Sequence, residues 1–179
     1  MKDTLISRRE FLKDIGMIGA GVLLSASPWL SAFSEVVETS GEKCRLAIIG
    51  PGSRGRFLMS FLVQNPKVEI VALCDIYKPS IEKALELAPK AKVYDDYREI
   101  LEDKTVDAVL VATPLNSHCQ IVLDAFDAGK HVFCEKSIGF TMEECFRIYN
   151  KHISTEKVFF TGQQRLFDPR YIKAMEMIH

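Results

Sequence analysis

The run Arg45-Leu46-Ala47-Ile48-Ile49-Gly50-Pro51-Gly52-Ser53-Arg54-Gly55 leaves the chain few folds to choose from. Leu46 to Ile49 read as a strand buried on both faces, and three glycines at G-x-G-x-x-G spacing follow at once. In such a turn the first glycine permits the tight bend. The second lets a diphosphate approach the backbone, and the third lets helix and strand pack closely. Free N–H groups and the helix dipole then favour an anion at the helix start. Alone the spacing is a weak signal, because a structural glycine turn matches it by chance. Its surroundings are specific: a helical pattern with Phe57, Leu58, Phe61 and Leu62 on one face, then a second apolar run, Val68 to Cys74, ending in Asp75. That aspartate stands 20 residues after Gly55, where a carboxylate accepts hydrogen bonds from an adenosine ribose. The combination predicts a dinucleotide site.

Strand-like and helix-like segments alternate from Arg45 onward, which predicts an α/β fold with a Rossmann-type, doubly wound parallel sheet. Helices are expected over Lys78 to Ala88, after Asp95 or Asp96 with Tyr97, Ile100 and Leu101 buried, over Asn116 to Ala128, over Thr141 to Ile153 and from Asp168. Tyr171, Ala174, Met175 and Ile178 share a face of the last. Strands are expected at Ala91 to Tyr94, Val106 to Ala112, His131 to Glu135 and Lys157 to Thr161. With 47% apolar residues, 179 residues suffice for one core. A net charge of -1 without any dense basic run argues against a nucleic-acid partner. Five cysteines, without a C-x-x-C pair, indicate neither a zinc site nor a complete disulfide framework and read as small buried hydrophobes.

The N-terminus reads differently. Ser7-Arg8-Arg9-Glu10-Phe11-Leu12-Lys13, followed by an uncharged stretch from Ile15 to Ser34, resembles a twin-arginine export signal. Pro28, Gly16, Gly19 and Gly21 argue against a long stable membrane span. The resemblance implies the twin-arginine machinery as a partner, no membrane span after processing, and a periplasmic location. The expected organisation is a signal over 1–34, a linker and strand start over 35–44, a nucleotide-binding domain over 45–165, and the start of a further region over 166–179.

Several motifs together resemble the Gfo/Idh/MocA family of nicotinamide-dependent sugar oxidoreductases. They are Gly50-Pro51-Gly52-Ser53-Arg54-Gly55, Cys74-Asp75, Ala112-Thr113-Pro114 with His118, Gly129 to Lys136, and Gly162-Gln163-Gln164-Arg165. The resemblance implies NAD as cofactor, with Asp75 disfavouring the extra phosphate of NADP. It implies diphosphate contacts at Ser53, Arg54 and Gly55, and a cofactor-lining loop at Thr113, Pro114, Leu115, Asn116 and His118. Glu135 and Lys136 would lie beside the nicotinamide, with a polar residue at Gln163 or Gln164 completing the pocket. Lys136 is the candidate catalytic residue, able to polarise a substrate oxygen during hydride transfer. Glu135 reads equally as a structural partner of Lys136. His118 reads as packing and capping its loop rather than transferring protons. Arg165 reads as contacting substrate or pairing with an acid.

Two departures stand out. Glu135-Lys136-Ser137 replaces the family's usual Glu-Lys-Pro, which leaves the placement of Lys136 open. The family's C-terminal α+β domain is also missing, so the sequence reads as a truncated chain, and an oligomeric full-length form stays open. Three expectations follow: an oxidoreductase acting on a sugar or cyclitol, an exported glycosidase using NAD as a transient oxidant, or a nucleotide-binding fragment without catalysis.

Overall fold

A computed structural model describes residues 43–163, 165 and 168–178. The proposed signal and most of the linker, together with Gln164, lie outside the described residues. Strand β1 (Cys44–Ile49) leads into helix α1 (Ser53–Leu62), then β2 (Val68–Cys74), α2 (Lys78–Leu85), β3 (Lys92–Tyr94) and α3 (Tyr97–Glu102). The second half runs β4 (Ala108–Val111), a short 3-10 turn (Leu115–Ser117), α4 (His118–Asp127), β5 (His131–Cys134), α5 (Met142–His152), β6 (Phe159–Thr161) and α6 (Pro169–Ile178). All pairings are parallel and the strand order is β3-β2-β1-β4-β5-β6. The expected doubly wound sheet is present, with its order reversing between β1 and β4.

Period-two alternation sorts the strand residues onto two cores. Ala47, Ile49, Val109, Val111 and Cys134 join Ile100, Val122, Phe126 and Ile148 under α3, α4 and α5. Leu46, Ile48, Leu73 and Leu110 meet Met59, Leu62, Ile81 and Ala84 of α1 and α2 on the other face. Caps set the helix starts. Asp96 accepts a hydrogen bond from Arg98 N at α3, and Thr141 and Glu144 form a reciprocal capping box at α5. Four of the five cysteines are buried, as expected of small hydrophobes, and burial pushes the Cys44 thiol up to about 12.

One expected face is corrected. Phe57 and Phe61 of α1 point outward and pack edge to face on each other, 5.1 Å between ring centres, while Gly55, Met59 and Leu62 turn inward. The close approach of Gly55 to the preceding turn decides which side of the helix faces the sheet. The shared apolar face of α6 is also exposed, with no residue of the helix buried among the described residues.

Two carboxylates in the segment before β4 tie it to β3 and β1 and make the sheet sensitive to acid. Asp103 accepts bonds from Tyr94 Oη at 2.6 Å, Thr105 Oγ1 at 2.7 Å and Thr105 N at 2.8 Å, which hold its carboxyl well below the usual range. At Asp107 burial opposes the charge, but bonds from the Arg45 side chain and backbone N–H outweigh it and keep the carboxyl low. Below the ordinary value of 3.8 the unfolded chain therefore takes up protons that the folded chain refuses. This stability is present above about pH 4 and is lost as the pH falls further. Urea midpoints are expected to drop over that range. Asp103→Asn should have a lower midpoint at neutral pH and a shallower acid decline, and an unchanged decline would assign the acid sensitivity elsewhere.

Candidate functional site

Where the strand order reverses, the loops after β1 and β4 diverge and open the crevice in which such sheets hold ligands. Backbone bonds carry the ladder past the strand ends and fix the loops around it. Gly50 N donates to Cys74 O at 2.8 Å, Ala112 N to Ile49 O at 2.9 Å, Glu135 N to Val111 O at 2.9 Å and Gly162 N to Cys134 O at 2.8 Å.

The three glycines have three separate roles. Gly50 has φ +85°, and a Cβ there would lie 2.7 Å from Thr113 N. A Cβ on Gly55 would lie 2.5 Å from Gly50 O, so helix and turn touch only because it is absent. At Gly52 an added Cβ would meet nothing within 4 Å. No packing within the described protein requires that glycine, and the open space lies at the start of α1, where no side chain caps the helix. A diphosphate fits there, with the first-turn N–H groups facing it. Arg56 Nη1 pins the turn from behind by donating to Pro51 O at 2.8 Å.

Asp75 follows β2 directly. Its Oδ1 accepts from Tyr77 N at 2.9 Å, and its second oxygen has no protein partner among the described residues. A carboxylate so placed can receive ribose hydroxyls from a nucleotide whose phosphates lie on the glycine turn. Across the crevice, Thr113, Pro114, Leu115 and Asn116 form the loop after β4, in which Ser117 Oγ donates to Thr113 Oγ1 at 2.8 Å. His118 opens α4 and is only 1% exposed. Its Nδ1 lies 2.7 Å from Ser137 O and its Nε2 2.9 Å from Thr113 O, so the ring joins the loops after β4 and β5. The packing reading of this residue matches its surroundings.

Arg54, Thr113, Leu115, His118, Glu135 and Lys136 line a cleft of about 410 Å3. Glu135 is buried, and its Oε1 accepts from Arg54 Nε and Nη2, each at 2.6 Å. Its structural partner is therefore Arg54, while Lys136 contributes only its backbone N–H, 3.1 Å from Oε2. The Lys136 side chain is exposed and has no hydrogen-bonding partner among the described residues. The Lys136–Ser137 peptide bond is cis. Gln163 is exposed. Arg165 stacks over and hydrogen-bonds Tyr171.

Gly162 is a site residue whose role the sequence motif did not explain. A Cβ there would lie 2.8 Å from Glu135 Cδ, so its bare backbone makes room for the carboxylate. Lys130, within the Gly129 to Lys136 motif, has a structural role that the motif does not explain. It is buried, its Nζ donates to Asp103 O at 2.7 Å and Val106 O at 2.8 Å, and burial lowers its pKa. Gly129-Lys130 just before β5 was the available signal.

Comparison with known proteins decides the family. Residues 44–163 match the profile of the Gfo/Idh/MocA oxidoreductase family, NAD-binding Rossmann fold. The chain belongs to this family. A glycosyl hydrolase family 109 protein of Stenotrophomonas maltophilia is 31% identical over 97% of this chain and 39% of its own length. The myo-inositol 2-dehydrogenase of Thermotoga maritima is 31% identical over 75% of this chain and 40% of its own. Among solved structures, the myo-inositol dehydrogenase of Lactobacillus casei, in complex with NAD(H) and myo-inositol, superposes with a TM-score of 0.70 at 32% identity, covering 76% of this chain and 42% of that one. The chain thus spans about two fifths of the length of these family relatives. NAD is the cofactor of the family domain that it contains.

Proposed function

We propose that this chain is the nucleotide-binding part of an enzyme that exchanges a hydride between NAD and a carbon of a sugar or cyclitol. The observation that carries the reading is the shared cleft. Arg54, in the first turn of the helix that follows the glycine turn, and the exposed Lys136 line one cleft, and an added Cβ at Gly52 would meet open space, so a dinucleotide seated on the turn would present its far end beside Lys136. Bound NAD would supply the hydride chemistry. The Lys136 ammonium would donate a hydrogen bond to the substrate oxygen and stabilise the negative charge that develops there. Asp75 would hold the ribose and repel a 2′-phosphate, which favours NAD over NADP. The remaining substrate wall would come from the part of the family protein that this chain does not span.

A second reading is a glycosidase that oxidises its sugar transiently and returns the hydride. The S-R-R-x-F-L-K motif favours it, because outside the cytoplasm a tightly held NAD that is regenerated in place needs no external supply. So does the likeness to the family 109 protein, which extends over nearly the whole chain. The α-N-acetylgalactosaminidase of Shewanella oneidensis, 30% identical over 85% of the chain, adds to this.

One preparation tests both readings. Protein recovered from fractionated cells is expected in the periplasm, and denaturing it should release NAD detectable by mass spectrometry. Net NADH formation with a sugar or cyclitol supports the first reading, and release of an aryl glycoside without net NADH supports the second. Protein that is empty and does not bind NAD would overturn both.

A further inference from the structure

The Arg54 side chain is engaged away from the glycine turn from which it springs. It leaves the first turn of α1, crosses the crevice and places Nε and Nη2 on one oxygen of Glu135, 81 residues away. The pair is unequal in exposure, with side chains 40% and 7% accessible, so the carboxylate is the buried member and depends on Arg54 for its counter-charge. Its other oxygen receives the backbone N–H of Lys136. Gly162 closes the remaining side, within 2.9 Å of both carboxylate oxygens at the position of an added Cβ. The carboxylate therefore has little freedom to follow any movement other than that of Arg54.

We infer that Arg54 is a positioning residue: through Glu135 it fixes the backbone at Lys136, so that seating a diphosphate on the glycine turn and placing Lys136 beside the cofactor's far end are coupled. The inference rests on the nucleotide reading given above. It assigns Arg54 a role distinct from phosphate binding, because its Nε and Nη2 donors already serve a carboxylate. Removing either partner releases the same element, so the two losses should not add.

NADH titration followed by the fluorescence of the bound nicotinamide tests the coupling, with ADP-ribose as a ligand that has the diphosphate but lacks the nicotinamide. Arg54→Met and Glu135→Gln are each expected to weaken NADH by about tenfold and to shift the emission of bound NADH in the same direction. The double variant should match the single ones. Arg54→Lys should recover part of the affinity, and ADP-ribose binding by Glu135→Gln should stay near wild type. Additive losses, or an Arg54→Met variant that weakens ADP-ribose as much as NADH with unchanged emission, would overturn the inference. If Arg54→Met does not fold, Arg54→Lys and Glu135→Gln carry the same comparison. Wild-type protein that binds neither ligand would instead overturn the nucleotide reading itself, and the inference with it.

Discussion

Gly52→Ser is expected to leave the fold at least as stable as wild type while weakening NAD binding by about a hundredfold, a loss of roughly 2.7 kcal/mol. Gly52 is the N-cap of α1, at φ -64° and ψ -162°, a conformation open to any residue. An added Cβ meets nothing of the protein within 4 Å. Serine is moreover a preferred N-cap and would satisfy a first-turn N–H that glycine leaves without a side-chain partner. The same bond and the same added atoms fall where a diphosphate must lie, so the stabilising change and the loss of affinity share one cause. Gly50→Ala should behave in the opposite way. Its φ of +85° and the 2.7 Å contact with Thr113 N put backbone strain and a backbone clash in the folded state, each costing about 1–3 kcal/mol. Thermal melts and NAD titrations of the two variants check the contrast. A Gly52→Ser protein with wild-type affinity would remove the diphosphate from that turn.

The same glycines show what the sequence could and could not reveal. Their spacing after an apolar run specified a strand, a turn and a helix, and the structure supplies a steric reason for Gly50 and Gly55 and leaves open space at Gly52. The cap before α3 was equally legible, because Asp96 acts on an N–H group only two residues away, whereas the reciprocal bonds of Thr141 and Glu144 were not read. The orientation of α1 was not. Phe57 and Phe61 form as good an apolar stripe as Met59 and Leu62, and only the contact of Gly55 with Gly50 O turns the latter pair inward. The partner of Glu135 was also out of reach, since the pairing with Arg54 depends on how β1 and β5 lie across the sheet from β4. Local periodicity holds no record of that. Gly162 belongs to the same class, its purpose visible only beside a carboxylate 27 residues earlier in the chain.

His118→Phe is expected to cost about 2–4 kcal/mol of stability and to weaken NAD binding by about tenfold or more. Phenylalanine keeps a flat ring in a site that is 1% exposed, so the substitution tests the two nitrogens more than the volume. Those nitrogens lie 2.7 and 2.9 Å from the carbonyls of Ser137 and Thr113, one in the loop after β5 and the other in the loop after β4. Whichever tautomer is present, at least one N–H donates across that gap. A phenyl ring leaves both carbonyls facing apolar carbon, and a buried acceptor without a donor costs about 1–3 kcal/mol. Without the ring's bonds nothing holds the two loops together at this point, and they carry Thr113 and Lys136, which both line the cleft. Loss of stability and loss of affinity should therefore appear together in urea denaturation and NAD titration. A variant that is destabilised but binds NAD normally would show that the ring supports the core without setting the width of the crevice.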